Sequence, residues 1–104
     1  MTRLNTLTAI GAFALAAIVG ATTASAFKGE DLASEAAVSL DQARVIALKA
    51  VPGTIADEEL EKESGGSGLR YTFDIQADNA THEVGVDAKT GAILESSVEG
   101  PNAD

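Results

Sequence analysis

Leu69-Arg70-Tyr71-Thr72-Phe73-Asp74-Ile75-Gln76 is the stretch that decides the fold. Leu69, Tyr71, Phe73 and Ile75 fall on one side of an extended chain, and Arg70, Thr72, Asp74 and Gln76 on the other. A period of two with one apolar side is the signature of a strand that buries one face and leaves the other in water. Before it, Ser64-Gly65-Gly66-Ser67-Gly68 reads as a flexible loop, and Thr54–Lys62 as a less regular strand. There Ala56 and Leu60 share a face that Glu58 interrupts. After it, Ala77-Asp78-Asn79-Ala80 is a turn, and Thr81–Asp87 sets His82, Val84 and Val86 against Thr81, Glu83 and Gly85. Asp87-Ala88-Lys89-Thr90-Gly91 is a hairpin turn with glycine where a positive φ is expected. The last strand, Ala92–Val98, buries either Ile93 or Leu94, depending on the register of that loop.

Upstream lies a helix. Ser39 can cap it, and Gln42 three residues later completes a capping-box pattern. Asp41 stands in the first turn and Lys49 in the last, each at the end of the helix dipole that favours its charge. Leu40, Ala43, Ile46, Ala47 and Ala50 share one face, and Pro52-Gly53 stops the helix, predicted over Leu40–Val51. One helix followed by four turn-linked strands predicts an α+β domain, a helix packed on a four-stranded antiparallel β-meander whose single apolar face it covers. Residues 27–38 show weak periodicity and read as a linker, 39–98 as the folded domain and 99–104 as a flexible tail.

The first 26 residues read as a processing segment. Arg3 supplies the positive charge, Leu7–Ala21 is a mostly apolar run of 15 residues, and Ala24-Ser25-Ala26 offers small residues to a signal peptidase. The run is shorter than the roughly 20 residues a membrane span needs, so the expectation is a cleaved Sec signal peptide and no stable membrane anchor. Position 27 is Phe27, not Cys, which excludes lipoprotein processing at that bond. The expected product is periplasmic or secreted and too small for more than one thin-cored domain. Loss of Arg3 leaves six of the seven Lys and Arg residues against all sixteen acids, a formal charge of −10. Such a surface repels phosphate backbones, so nucleic acid is not an expected partner, whereas cationic proteins, cationic peptides and divalent ions are electrostatically compatible.

No pattern of reactive side chains accompanies this frame. The chain has no Cys, and His82 is its only imidazole, so neither a thiolate nor a multi-histidine zinc site can form. No nucleophile elbow stands near His82 in sequence, and it reads as a core-edge residue beside Tyr71. Asp57-Glu58-Glu59-Leu60-Glu61-Lys62-Glu63 lacks the spacing of a calcium loop, and strand alternation splits its carboxylates between two faces. Ala88-Lys89-Thr90 lacks the glycines of a phosphate loop and leads into a strand. The expectation is therefore no catalytic residue, no metal ligand set and no cofactor.

Several segments together resemble one family. They are Ser39-Leu40-Asp41-Gln42-Ala43, Val51-Pro52-Gly53-Thr54, Glu58-Glu59-Leu60-Glu61-Lys62, Tyr71-Thr72-Phe73-Asp74-Ile75 and, most specifically, His82-Glu83-Val84-Gly85-Val86-Asp87-Ala88-Lys89-Thr90-Gly91-Ala92-Ile93-Leu94. Over residues 39–98 the chain is similar to PepSY domains. Glu58 and His82 depart from the pattern, since the family usually has an apolar residue at the first position and often an aromatic at the second. The resemblance implies a non-catalytic interaction module of an exported protein, with a peptidase as the kind of partner it restrains or regulates. An acidic, calcium-binding envelope protein is the alternative that the net charge allows.

In a four-strand meander the first and last strands are edges with unpaired backbone groups. The first is crowded with Asp57, Glu58, Glu59, Glu61 and Lys62, while the last, Ala92-Ile93-Leu94-Glu95-Ser96-Ser97-Val98, carries one charge. These seven residues are the expected partner-binding edge, used by β-augmentation. The leader gives the first test. Intact mass of the protein recovered from the exported fraction should match a chain beginning at Phe27, and a mass that retains the leader would contradict the export assignment.

Overall fold

The computed structural model describes residues 27–99. Helix α1 spans Leu40–Ala50, and the strands are β1 Thr54–Lys62, β2 Leu69–Ala77, β3 Ala80–Asp87 and β4 Ile93–Glu99. The four strands form one sheet in chain order, antiparallel at every pairing, with the helix on one face. The expected α+β architecture is the one found. The proposed leader lies outside the described residues.

The helix starts as its residues dictate. The Ser39 hydroxyl accepts from Gln42 N at 3.1 Å, and the Gln42 side chain accepts from Ser39 N at 2.9 Å. Val51 is the C-cap rather than the last helical residue. Ala43 and Ala47, one turn apart, are fully buried, and their small side chains let the helix lie close on Tyr71, Phe73, Ile75, Val84 and Val86. All of these residues come from β2 and β3, the two central strands.

Each turn follows from its residues. Asp78 and Asn79 both take positive φ, 54° and 63°, as a two-residue hairpin with the twist of its strands requires. Gly91 has φ 83°, and a Cβ there would press on Ile46 Cδ1 at 3.3 Å. Two β-bulges adjust the register. In β1 the pairing skips from Ile55 to Asp57, so Ile55 shares the core side with Leu60, and Ala56, expected there, is exposed. In β4 the partner of Val86 is Ile93 and that of Gly85 is Glu95, which leaves Leu94 as the inserted residue.

Glu58 faces the helix side, as its position in the strand implied, but it does not face an apolar core. Arg44 reaches down from α1 and clasps it, Nε donating to Oε1 at 2.8 Å and Nη2 to Oε2 at 2.6 Å. This two-pronged bond, made with Asp41 on the other side of Arg44 at 2.9 Å, raises the guanidinium pKa further. His82 lies opposite Ile75 rather than beside Tyr71, whose partner is Val86. Its Nε2 is 3.2 Å from the Ala77 carbonyl, which can only accept, so the ring donates there.

Residues 27–38, expected as a linker, pack on the domain. Lys28 bridges Glu59 in parallel, with Leu60 N donating to Lys28 O at 2.9 Å. Gly29, at φ 89°, permits this approach, since a Cβ there would overlap the Leu60 carbonyl. A short 3-10 helix, Glu30–Glu35, follows. Ala37 N and Val38 N then both donate to Ala88 O at 2.9 Å, and the Tyr71 hydroxyl donates to Val38 O at 2.7 Å. Long-range backbone bonds hold the segment together with Phe27, Leu32, Ala36 and Val38, which pack against the core at spacings that follow no single helix or strand period.

One carboxylate organises the end of the sheet. Asp87 is 1% exposed and accepts from Ser67 N at 2.7 Å, Ser67 Oγ at 2.8 Å, Lys89 N at 2.8 Å and Thr90 N at 3.1 Å. It thus ties the glycine-rich loop to the β3–β4 turn. Burial opposes its charge, yet these four donors hold its pKa at about 2, below the ordinary 3.8. Because the folded value is depressed, the stability Asp87 contributes is complete above pH 3.8 and is lost as pH falls through 2. Asp87→Asn should cost about 1–3 kcal/mol at neutral pH, because the amide cannot accept from every donor. Chemical denaturation from pH 5 down to about 2 should also show a shallower acid loss in the variant than in wild type; parallel curves would contradict this role.

Candidate functional site

The two sides of the sheet differ sharply. The side opposite α1 presents Asp57, Glu59 and Glu61 from β1, Asp74 from β2, Glu83 from β3, and Glu95 and Glu99 from β4. Lys28 reaches Glu59 from outside β1, while Arg70, the cation that the sheet's own strands place on that side, is 8% exposed. Gly85 leaves room for it, because a Cβ there would stand 3.2 Å from Arg70 Cδ. Its guanidinium thereby reaches Glu95 at 3.4 Å, Glu63 at 3.5 Å and the Ser64 carbonyl at 3.3 Å. With these contacts Arg70 is spent on β4 and the loop, and it does not balance the remaining carboxylates.

Asp74, Glu83 and Glu99 bring carboxylate oxygens within 4.8 Å of one another. Burial raises the Asp74 pKa, and the charges of Glu99 and Asp57 raise it further. Burial likewise raises that of Glu83, followed by the charges of Glu95, Asp74 and Glu99. Both shifts have the same two causes in the same order, burial first and the neighbouring carboxylate charges second. Glu99, expected in the tail, pairs with Thr81 inside β4 and belongs to this group. The strand runs one residue past the expected end at Val98, and the alternation Glu95-Ser97-Glu99 is the signal in the sequence that marks it.

The edges are unequal for a further reason besides charge. Leu60 N points out of β1 and is already met by Lys28 O at 2.9 Å. Lys28 and Lys62 add ion pairs to Glu59 at 3.8 Å and Glu35 at 3.6 Å. A shallow, open hollow lined by Phe27, Lys28 and residues 55–58 lies on that edge, shaped by the bulge at Ala56. Among the described residues nothing lies outside β4.

The backbone phase of β4 follows from the turns. In a two-residue hairpin the flanking pair Ala77↔Ala80 exchanges hydrogen bonds, so His82, Val84 and Val86 direct their backbone groups to β2. Thr81, Glu83 and Gly85 then direct theirs to β4, and Asp87 N, donating to Ala92 O at 2.8 Å, keeps that phase. Their partners Glu99, Ser97 and Glu95 point inward, which leaves the N–H groups of Ser96 and Val98 pointing out.

The seven edge residues expected from the sequence divide accordingly. Ala92 belongs to the turn, Leu94 is the half-buried bulge residue over Gly66, and Glu95 holds Arg70. Ser97 points inward by its backbone and donates its hydroxyl to Glu95 Oε2 at 3.3 Å. Ser96 is exposed, and Ile93 and Val98, on the helix side, are 41% and 62% exposed because α1 stops short of β4. The outward-pointing N–H groups of this edge are thus those of Ser96 and Val98.

A search of curated proteins and a search of solved structures return no match. A scan of protein families matches residues 37–96 to PepSY, described as "Peptidase propeptide and YPEB domain". The match takes in the capped helix and the sheet through Ser96 of β4, which is more than half of the chain. No helix among the described residues is long and apolar enough to cross a membrane. With this match over its whole folded core, the chain belongs to the PepSY family.

Proposed function

We propose that this protein is an exported, non-catalytic PepSY module that binds another protein through the outer edge of β4 and thereby restrains or regulates a periplasmic or secreted peptidase. The observation that carries the reading is the inequality of the two edges: Leu60 N is met by the chain's own Lys28, while Ser96 N and Val98 N meet nothing among the described residues. Family membership supports the kind of partner, because the family is described by peptidase propeptides. The apolar stretch Leu7–Ala21 and Ala24-Ser25-Ala26 support export with cleavage before Phe27. His82 supports the non-catalytic part, its ring being held by a backbone carbonyl with no nucleophile or acid hydrogen-bonded to it among the described residues.

The test adds purified protein to the exported peptidase fraction of its source and follows hydrolysis of a fluorogenic peptide. Wild type should change the rate in a saturable way. Ser96→Pro, which removes an outward N–H and no ladder bond, should fold and shift the half-effect concentration about tenfold upward. A rate indifferent to wild type would overturn the peptidase reading, and equal potency of a folded Ser96→Pro would overturn the edge.

Binding of a divalent cation is the second reading, favoured by the approach of Asp74, Glu83 and Glu99 to within 4.8 Å. Calorimetry with calcium decides it. A fixed stoichiometry that Glu83→Gln abolishes would support the site, whereas weak heat lost on adding salt would reduce it to a general attraction of ions.

A further inference from the structure

The β4 edge specifies more than a place for backbone pairing, because its two sides differ in chemistry. A strand added outside β4 sets its side chains beside those of β4, alternating between the faces with a period of two. On the open face its neighbours would be Glu95, Ser97 and Glu99, with Glu83 and Asp74 one and two strands further in. On the helix side they would be Ser96 and the exposed Val98. Resting on the β4 reading above, we infer that the partner segment is an extended amphipathic strand with Lys or Arg at every second position and apolar residues between them. The cationic side chains would lie along Glu95 and Glu99, and the apolar ones would cover Val98 on the side that α1 leaves bare.

Three separate observations converge on this occupant. On the open face Arg70 is already engaged by Glu63, Glu95 and the Ser64 carbonyl, and Lys28 by Glu59, so no ion pair among the described residues reaches Asp74, Glu83 or Glu99. Asp74 and Glu83 are part-buried and stand beside further carboxylates, Asp74 near Glu99 and Asp57 and Glu83 near Glu95 and Glu99. Burial first, and then these charges, raise their pKa values. Val98, at 62% exposed, is apolar surface directly beside two outward N–H groups. A second copy of the chain fits poorly, because β4 pairing antiparallel with itself would bring Glu95 and Glu99 against the same residues of its mate. An apolar strand without charge would leave the carboxylates desolvated and unpaired.

Two synthetic peptides of about nine residues, the span of one such strand, test the pattern. One alternates Lys with Val; the other has the same composition, with its Lys residues gathered at one end. Binding is measured by nitrogen–proton correlation spectra of the labelled protein, in low salt and in half-molar salt. The alternating peptide should bind, move the amide signals of Ser96 and Val98, and lose affinity in high salt. The blocked peptide should bind about tenfold more weakly. The double variant Glu95→Gln, Glu99→Gln should weaken the alternating peptide about three- to tenfold, as loss of two exposed ion pairs does. Ser96→Pro should weaken it independently of charge.

The outcomes separate the two levels of the argument. Equal affinity for both peptides, no effect of the double variant, or no binding of the alternating peptide would overturn the cationic alternation. If in addition Ser96→Pro leaves peptidase regulation untouched, the edge itself is wrong. If Ser96→Pro abolishes that regulation while the peptides bind equally, the edge stands and only its specificity is refuted.

Discussion

A single helix of eleven residues has to cover a sheet of four strands. A helix with its side chains is about 10 Å wide, and strands lie about 4.8 Å apart, so one helix shields about two strands. In this protein those two are β2 and β3, which supply Tyr71, Phe73, Ile75, Val84 and Val86 to the core. Ala43 and Ala47 bring the helix down on them at the cost of reach, because alanine cannot extend sideways over a neighbouring strand. Each edge strand therefore needs some other device, or stays open.

The devices differ. On β1 the chain supplies its own cover: residues 27–35 return along the edge, and Arg44 extends from α1 to satisfy Glu58 on the side where an apolar residue would otherwise be needed. On β4 there is no equivalent among the described residues. Asp87 fixes the turn that launches β4 and so fixes its direction, and Glu95 is held by Arg70 across Gly85. The strand is therefore anchored at its start and on its inner side, while none of the described residues covers its outer side. A rigid edge with open donors is better suited to binding a partner chain than a flexible one, because less ordering entropy is lost on docking.

Most of this architecture was legible in the residues. Leu69–Gln76 carries an unbroken period of two, Ser39 and Gln42 form the capping box they spell, and Gly91 marks the turn that needs a positive φ. The parts that were not legible share a cause. The bulges at Ala56 and Leu94 insert single residues into strands whose alternation is already weak, so the choice among Ile55, Ala56, Ile93 and Leu94 depended on pairing rather than on pattern. Glu58 looked out of place because its partner, Arg44, lies on another element. The cover of residues 27–38 rests on bonds to Leu60, Ala88 and Tyr71 and on irregularly spaced apolar contacts from Phe27, Leu32, Ala36 and Val38, none of which leaves a local periodic trace. The open edge could be inferred from strand order, but which of its N–H groups point outward needed the phase of the hydrogen bonds.

Amide hydrogen exchange on the free protein tests the inequality of the two edges most directly. The account predicts slow exchange at Leu60, whose N–H is held by Lys28 O on the outside of β1. It predicts an alternation along β4, with Ser96 and Val98 exchanging at close to the unprotected rate and Ser97, turned toward Glu83, exchanging slowly. Protection of Ser96 and Val98 equal to that of Leu60 would contradict the account, since it would mean that the β4 edge is closed in the free protein and has no vacant donors to offer.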